Sequence, residues 1–296
     1  MLMNMKDLLA VAHKHYFAVP AFNVSSSMLL TGVIEASEEM QSPVIIAIHP
    51  DELSFVRPAF VKAAVEEATK ASVPVCIHLD HGASIAQVML AIQSGFTSVM
   101  IDASSLPLQD NIAISKRVVE LAHPVNVSVE GELGTIGTTG PDVGEYGTEE
   151  IIYTDPDDVV TFVEATGVDT LAVAIGTSHG IYPKDKKPEL KLDLLKEIAS
   201  RVDIPLVLHG GSANPDDEVA AAVKLGINKI NISSDIKDAF YQKAREVLSS
   251  PTIREPNAIY PPCIEAMKKV ARFKIELFNA AGKAKLYHGS CETEQG

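Results

Sequence analysis

The chain has 296 residues, 46% of them hydrophobic, and can bury a large core in one big domain or two ordinary ones. Its formal net charge of −14 at pH 7, with no basic run, argues against binding to nucleic acid or to an anionic membrane surface. The longest apolar runs are too short to span a bilayer, and Lys6 and Asp7 interrupt the stretch where a signal peptide would need continuous apolar residues. We therefore expect a globular, cytoplasmic protein in which any anionic ligand needs a local, preorganised site.

The three cysteines, Cys76, Cys263 and Cys291, are far apart in the sequence and show no CxxC spacing. An odd number at these separations indicates neither a disulfide framework nor a thiolate zinc site. We expect buried or unreactive thiols.

Short apolar segments rich in β-branched residues recur along the chain at 18–22, 43–48, 74–79, 97–102, 125–130, 170–175, 205–210 and 228–233. Helical stretches with periodic apolar positions lie between several of them, at 27–40, 84–94, 108–122, 156–166 and 215–225. Near-continuous apolar strands are typical of a parallel sheet that helices cover on both faces. Eight such units in about 250 residues predict an α/β fold, the (β/α)8 TIM barrel. An open doubly wound sheet is the alternative, but no GxGxxG motif follows the first strand.

Polar residues cluster at one end of the predicted strands. In a TIM barrel the catalytic groups come from the C-terminal ends of the strands. The strand beginnings carry Pro, Val and Asn, whereas these residues lie at or just after the strand ends: Asn23, Asp80, His81, Asp102, Glu130, Glu132, His179, His209 and the run 231–235. We predict that this set forms the functional site.

Three histidines, His81, His179 and His209, follow different predicted strands at this end of the barrel. Three imidazoles that converge without a cysteine suit a zinc ion with three protein ligands and an open position, which is a catalytic arrangement. His78 shares a strand face with Asp80, so we expect it inside the barrel in a core or supporting role.

The sequence also contains a series of specific motifs in a fixed order: HLDHG (78–82), MIDAS (100–104), VEGELG (129–134), GTSHG (176–180), LHGGS (208–212) and NISSD (231–235). Along almost its whole length the chain resembles the class II, zinc-dependent fructose- and tagatose-bisphosphate aldolases. The resemblance implies a lyase with zinc bound by His81, His179 and His209, and with Asp80 as the catalytic acid/base. It further implies Asp102 and Glu132 as candidate ligands of a second metal position and leaves room for a monovalent cation. For Asp102, capping of the following turn is the alternative.

The family chemistry explains these residue types. Cleavage of a ketose bisphosphate leaves the enediolate of dihydroxyacetone phosphate, whose charge a metal can stabilise, while Asp80 takes the proton of the C4 hydroxyl. The expected partner is therefore a small-molecule sugar phosphate. The resemblance implies these substrate- and phosphate-binding residues: Asn23, Gly180, Gly210, Gly211, Ser212, Asn231, Ser233, Ser234 and Lys237. Glycine backbones and helix N-termini suit an anion.

Two departures from the family pattern concern the substrate. In the loop segment 134–150, Gly140 stands near the position where the family presents a glutamate, and Asp142 or Glu145 is the candidate replacement as loop base. Ser233 stands where fructose-type enzymes carry an aspartate, which makes the chain more similar to the tagatose type. No clear phosphate loop follows the second strand, so an unphosphorylated aldehyde is a plausible second substrate.

The predicted organisation is a single barrel domain, about 16–250, followed by a helical extension, about 251–280. In similar enzymes this tail packs at subunit contacts, so we expect a homodimer or homotetramer; the alternative is a helix that closes the barrel floor.

Three rival functions remain. A Schiff-base aldolase is disfavoured because Lys229 begins its strand and lies at the wrong face, a metal-dependent hydrolase leaves the phosphate-type motifs unexplained, and a non-catalytic family member requires an assay to exclude.

Overall fold

The computed structural model describes residues 1–138, 151–179 and 189–287. The described strands are β1 (Val19–Asn23), β2 (Val44–Ile48), β3 (Val75–Gly82), β4 (Ser98–Ile101), β5 (Ser128–Leu133), β6 (Gly137–Thr138), β7 (Thr170–Val173), β8 (Ser178–His179), β9 (Leu206–Leu208) and β10 (Ile227–Ile232). Eight of them close into a barrel in the order β1-β10-β9-β7-β5-β4-β3-β2, and each paired neighbour is parallel. The short strands β6 and β8 form a separate parallel pair. The predicted TIM barrel is confirmed, and its eight strands are the eight predicted segments.

The described helices are α1 (Met5–His15), α2 (Ser27–Glu39), α3 (Pro50–Lys70), α4 (Ile85–Ser94), α5 (Leu108–Ala122), α6 (Pro156–Thr166), α7 (Leu192–Ala199), α8 (Asp216–Lys224), α9 (Ser234–Val247) and α10 (Pro256–Leu277). Side chains at the N-caps of α2, α4 and α6 accept backbone N–H groups of the first turn, which fixes where these helices begin: Ser26, Ser84 and Asp155. In the described ranges, no helix combines the length and the apolarity needed to cross a membrane.

Helix α1 has no counterpart among the predicted elements. Asn4 caps it by accepting the N–H of Asp7 at 2.8 Å, and its apolar face, which includes Met5 and Leu8, is fully buried. The N–H of Met5 donates to the hydroxyl of Ser128 at the beginning of β5, and α1 also contacts β3 and β10. Helix α1 therefore covers the floor of the barrel, at the strand beginnings.

Helix α10 lies within the predicted C-terminal extension and packs along α2 and α9. Its Lys268 ammonium, almost completely buried, pairs with Glu35 at 2.9 Å and with Glu39 at 2.6 Å. Helix α10 itself therefore lies in the outer layer of helices, and the segment that ends it reaches the beginning of β1, where the N–H of Ala18 donates to the carbonyl of Phe278 at 3.0 Å.

Candidate active site

Strand β3 ends in a bulge that turns two consecutive residues toward the barrel mouth. Side chains alternate across a regular strand, so Asp80 and His81 could not otherwise share a site. The pairing of β3 with β4 shifts between Leu79 and Gly82, and His81 has a φ of 48°. A positive φ is uncommon for a residue other than glycine and is found at functional sites. Gly82 fits the bulge because a Cβ atom would lie 2.6 Å from the carbonyl oxygen of Met100.

The carboxylate of Asp80 is buried and held at both oxygens. The side-chain amides of Asn23 and Asn231 donate to Oδ2 and Oδ1, each at 2.8 Å. Burial favours the neutral acid, but the surrounding positive charges, first that of His81, outweigh it and hold the pKa of Asp80 well below its usual range. Asn23 and Asn231, expected as substrate-binding residues, are thus placed as the donors that orient an ionised Asp80.

His81 and His209 face each other across the mouth with their outer nitrogens hydrogen-bonded to carboxylates. Nδ1 of His81 lies 2.9 Å from Oδ2 of Asp102, and Nε2 of His209 lies 2.8 Å from Oε1 of Glu130. Ionised carboxylates only accept hydrogen bonds, so these two nitrogens carry the hydrogens. The inner nitrogens, Nε2 of His81 and Nδ1 of His209, are 2.8 Å apart. This is a hydrogen-bond distance, which one proton between the two rings explains, and both nitrogens face the same point of the mouth, where a bound cation would replace that proton.

A strongly negative surrounding supports cation binding at this point. Burial opposes protonation, but the carboxylates of Asp80, Asp102 and Glu132 raise the pKa of His81 to about 10. Burial, together with the charge of Asp102, raises the pKa of Glu132 well above its usual range. Oε2 of Glu132 is buried and has no hydrogen-bond partner among the described residues. An orphaned carboxylate oxygen beside an imidazole fits a metal ion.

Two overlapping groups of side chains bring metal-ligating atoms within 4.8 Å of one another. They are Asp80 with His81 and His209, and His81 with Asp102 and Glu132. Asp102 also serves the turn that follows β4, since its Oδ1 accepts the N–H and the hydroxyl of Ser104 at 3.2 and 2.7 Å. Both roles considered for Asp102 are therefore compatible with the structure.

The loop after β9 and the beginning of α9 meet on the same rim. Gly210 has a φ of 62°, and the N–H of Gly211 donates to the carbonyl of Asn231 at 3.0 Å. The hydroxyl of Ser212 accepts the N–H of Asp235 at 3.4 Å. The N-cap residue of α9, Ser233, makes no side-chain hydrogen bond to the first turn of the helix, so the N-terminus of α9 is suited to an anion at this rim.

Lys237 lies one turn into α9, and its ammonium is engaged. Its Nζ donates to the hydroxyl of Ser233 at 2.9 Å and to Oε1 of Glu52 at 2.5 Å. Glu52 belongs to the capping box of α3, where its other oxygen accepts the N–H of His49 at 3.0 Å. The charge of Lys237 is thus shared with a carboxylate at the position considered for a second phosphate.

The family model described as "Fructose-bisphosphate aldolase class-II" matches residues 3–283. The chain belongs to this family. It is an aldolase, a carbon–carbon lyase, and the resemblance found in its motifs is confirmed.

Proteins similar to this aldolase differ in the substrates that their names give. It is 37% identical to the D-tagatose-1,6-bisphosphate aldolase subunit GatY of Klebsiella oxytoca over 95% of its own chain and 99% of that protein. It is 40% identical to the 6-phospho-5-dehydro-2-deoxy-D-gluconate aldolase of Bacillus licheniformis, with 95% and 96% covered, and 38% identical to the fructose-bisphosphate aldolase of Thermus caldophilus, with 96% and 100% covered. The crystal structure of the YdjI aldolase from Escherichia coli K12 matches with a TM-score of 0.85 at 36% identity, over 96% of this chain and 100% of that one. Identity is nearly equal for the differing names, so the substrate has to be argued from the site.

The side chain of His179 and three further predicted site residues fall outside what the structure describes. The backbone of His179 pairs with Thr138 in the short β6/β8 sheet, but its side chain is not among the described atoms. The predicted phosphate-binding Gly180 and the loop-base candidates Asp142 and Glu145 also lie outside the described residues.

One buried lysine of this aldolase has a role that its sequence pattern did not predict. Lys229 was expected at the wrong face of the barrel, but its side chain is fully buried inside, and Nζ lies 2.9 and 2.8 Å from the two oxygens of Glu130. Lys229 is the third residue of β10, and its long side chain points into the barrel and reaches Glu130 on β5. The sequence did contain a signal for such a partner. Glu130 and Glu132 lie on the same face of their strand, and a carboxylate that is buried inside a barrel needs a positively charged or hydrogen-bonding partner. His78 lies in the core, as predicted, with Nε2 3.4 Å from the same ammonium.

Proposed function

We propose that this aldolase is zinc-dependent and reversibly cleaves a ketose bisphosphate, such as tagatose 1,6-bisphosphate or fructose 1,6-bisphosphate. The products are dihydroxyacetone phosphate and an aldehyde such as glyceraldehyde 3-phosphate. The observation that carries the proposal is the buried, ionised Asp80 beside two imidazoles whose inner nitrogens converge at 2.8 Å. A proton acceptor next to a cation site at the barrel mouth is the pair of functions that aldol cleavage requires.

Asp80 acts as the base in the cleavage direction. Its carboxylate accepts the proton of the C4 hydroxyl while the C3–C4 bond breaks, the C4–O bond becomes the carbonyl of the aldehyde, and the bonding electrons pass to the enediolate. In condensation the same group returns the proton. The amides of Asn23 and Asn231 support this role because they fix the carboxylate without donating a proton to the reaction.

His81 and His209, with His179 as a third ligand, would hold the zinc ion. Imidazole nitrogens without cysteine fit zinc among the common divalent metals. When bound, the ion supplies positive charge next to the enediolate oxygen that develops during cleavage. Asp102 and Glu132 are the proposed ligands of a second cation position, which Glu132 supports through its unpartnered oxygen. A monovalent cation is a further proposed occupant of the site.

The phosphate of dihydroxyacetone phosphate is proposed to bind on the rim between the β9 loop and α9. The glycines at 210 and 211, the hydroxyls of Ser212 and Ser234 and the first N–H groups of α9 support this placement. Gly180 remains a proposed member of this group. Local N–H groups and hydroxyls explain how a chain with a net charge of −14 can bind an anion.

The ion pair between Lys237 and Glu52 favours a second candidate, cleavage of a ketose 1-phosphate that yields an unphosphorylated aldehyde. A second phosphate at this rim would meet the Glu52 carboxylate together with the Lys237 ammonium. A neutral polyol could accept a hydrogen bond from the Lys237 ammonium and donate one to the Glu52 carboxylate. Ser233, whose hydroxyl binds Lys237, is the residue we propose to read the C4 configuration in either case.

A Schiff-base mechanism is not supported at Lys229, since its ammonium is buried in an ion pair with Glu130.

We also propose one barrel domain with a C-terminal helical extension, assembled as a cytoplasmic homodimer or homotetramer. Exposed aromatic side chains on α9 and α10, Tyr241, Tyr260 and Phe273, support the oligomer. Light scattering coupled to size-exclusion chromatography tests it.

The function is tested by condensing dihydroxyacetone phosphate with a panel of phosphorylated and unphosphorylated aldehydes and determining the stereochemistry at C4 of each product. We expect a zinc-dependent ketose phosphate product, with glyceraldehyde 3-phosphate or a neutral aldehyde as the better acceptor. A zinc-loaded protein that forms no carbon–carbon bond with any member of the panel would leave the non-catalytic alternative in place.

A further inference from the structure

A layer of polar side chains lies inside the barrel next to the candidate metal ligands. It contains Glu130 of β5, Lys229 of β10, and His78 and Ser98 of the neighbouring strands β3 and β4, and all four are completely buried. Burying a charge is costly unless it is paired and hydrogen-bonded. The ammonium of Lys229 has three acceptors, the two oxygens of Glu130 at 2.9 and 2.8 Å and Nε2 of His78 at 3.4 Å. The number of acceptors equals its number of donors.

The same layer fixes the orientation of each of its members. His78 accepts from Lys229 through Nε2, so its Nδ1–H donates to the hydroxyl of Ser98 at 2.8 Å. Lys229 contacts both oxygens of Glu130, which sets the plane of the carboxylate. Oε1 of that carboxylate is therefore left in place 2.8 Å from Nε2 of His209.

This contact decides which nitrogen His209 offers to the barrel mouth. A carboxylate can only accept, so the hydrogen of the neutral imidazole lies on Nε2 and the lone pair on Nδ1. Nδ1 is the nitrogen that lies 2.8 Å from Nε2 of His81. An imidazole with the other tautomer would offer an N–H group to the cation position instead.

We propose that Lys229 and Glu130 are positioning residues that hold His209 with Nδ1 toward the metal and thereby set the affinity of the site for zinc. The proposal rests on the zinc site of the proposed function. Neither side chain is assigned a contact with the substrate, and both act through His209. Partners of metal-bound histidines of this kind typically change metal affinity about 10- to 100-fold when they are lost.

The test measures zinc affinity of the metal-free protein by competition with a chromophoric chelator, using zinc ions alone. Variants Glu130→Gln and Lys229→Met each break the ion pair, and the double variant Glu130→Gln with Lys229→Met removes both charges together. The double variant guards against misfolding, because it leaves no unpaired charge in the core. Asp169→Asn and Lys268→Met are matched controls: both residues are buried and ion-paired, the first near the barrel floor and the second on α10, where it faces α2.

We expect the double variant to fold and to bind zinc about 10- to 100-fold more weakly than the wild type, and both controls to keep wild-type affinity even where their melting temperature falls. With cobalt in place of zinc, the visible absorption bands of the double variant should shift, which a purely structural role of the layer would not cause. Wild-type affinity and an unchanged cobalt spectrum in the double variant would overturn the positioning role and leave the proposed zinc site intact. Failure of the wild type itself to bind zinc would overturn the proposed zinc site, and the positioning role with it.

Discussion

At the scale of single residues, we expect Asp80 to transfer the proton without being a ligand of the metal. Its two oxygens accept amide hydrogens from Asn23 and Asn231, and Oδ1 lies 3.9 Å from Nε2 of His81. In Asp80→Asn the new amide can be accommodated because Oδ1 of Asn231, which has no hydrogen-bond partner among the described residues, would face it after a flip of the Asn231 amide. We therefore expect the variant to fold, to keep zinc and to lose cleavage about 100- to 10,000-fold. Metal analysis and kcat check this, and loss of the zinc would show that Asp80 is a ligand.

Ser233 is the residue whose size should set the choice between C4 epimers. Its hydroxyl is bound to Lys237 at 2.9 Å and is too short to reach a substrate hydroxyl as an aspartate would. We expect the wild type to cleave tagatose bisphosphate, or a ketose 1-phosphate, better than fructose bisphosphate. Ser233→Asp should move the ratio of kcat/KM for the two epimers toward fructose by about 10-fold or more, since a polar contact of this kind is worth about 1–3 kcal/mol.

The control for this substitution is Ser249→Asp, which adds the same charge at an exposed position just after α9. It should leave the ratio for the two epimers unchanged. A wild-type preference for fructose bisphosphate over tagatose bisphosphate would show that another residue reads C4.

The sequence predicted which residue types would gather at the mouth but not how they pair. Asp80, His81 and His209 could be placed there because each lies at the end of a predicted strand. The hydrogen bonds of Asn23 to Asp80 and of Glu130 to His209 join residues 57 and 79 positions apart. Such contacts depend on strand order and register in three dimensions, which the local pattern does not contain.

At the scale of elements, the end of β3 is the clearest strained feature of the site. The bulge allows Asp80 and His81 to face the same space, and it brings the backbone of Gly82 close to the carbonyl of Met100. In Gly82→Ala the added methyl group would lie 2.6 Å from that oxygen, so β3 and β4 must separate. We expect the free energy of unfolding to fall by about 1–3 kcal/mol and zinc affinity to fall with it, because His81 moves. Urea denaturation and zinc titration measure both, and an unchanged midpoint would contradict the close approach.

Strand positions were predictable because continuous apolar runs of β-branched residues mark a buried parallel sheet. The predicted helix 108–122 coincides with α5, and 156–166 with α6. Helix α1 was not predicted, since its amphipathic pattern precedes the first βα unit and the pattern alone does not show that it covers the floor. The bulge in β3 was not predicted either, because it depends on the pairing with β4.

At the scale of the whole molecule, the barrel has two chemically different ends. Helix α1 seals the floor with apolar side chains, and the acidic groups around His81 collect at the mouth. A cation that binds only the folded mouth stabilises the fold by mass action, by about 2.7 kcal/mol at a concentration 100 times its Kd. We expect zinc to raise the melting temperature of the chelator-treated protein and to do so much less in His209→Ala. Equal zinc-induced shifts in both proteins would place the binding elsewhere.

The most direct test of the account is cleavage of tagatose 1,6-bisphosphate by one preparation in its purified, chelator-treated and zinc-restored forms, with borohydride added in a parallel assay. We expect chelation to abolish cleavage, zinc to restore it, and borohydride in the presence of substrate to have no effect, because the carbon–carbon bond would break at a metal site beside Asp80. Full activity of the metal-free protein, or inactivation by borohydride only when substrate is present, would contradict the metal site and indicate a Schiff base.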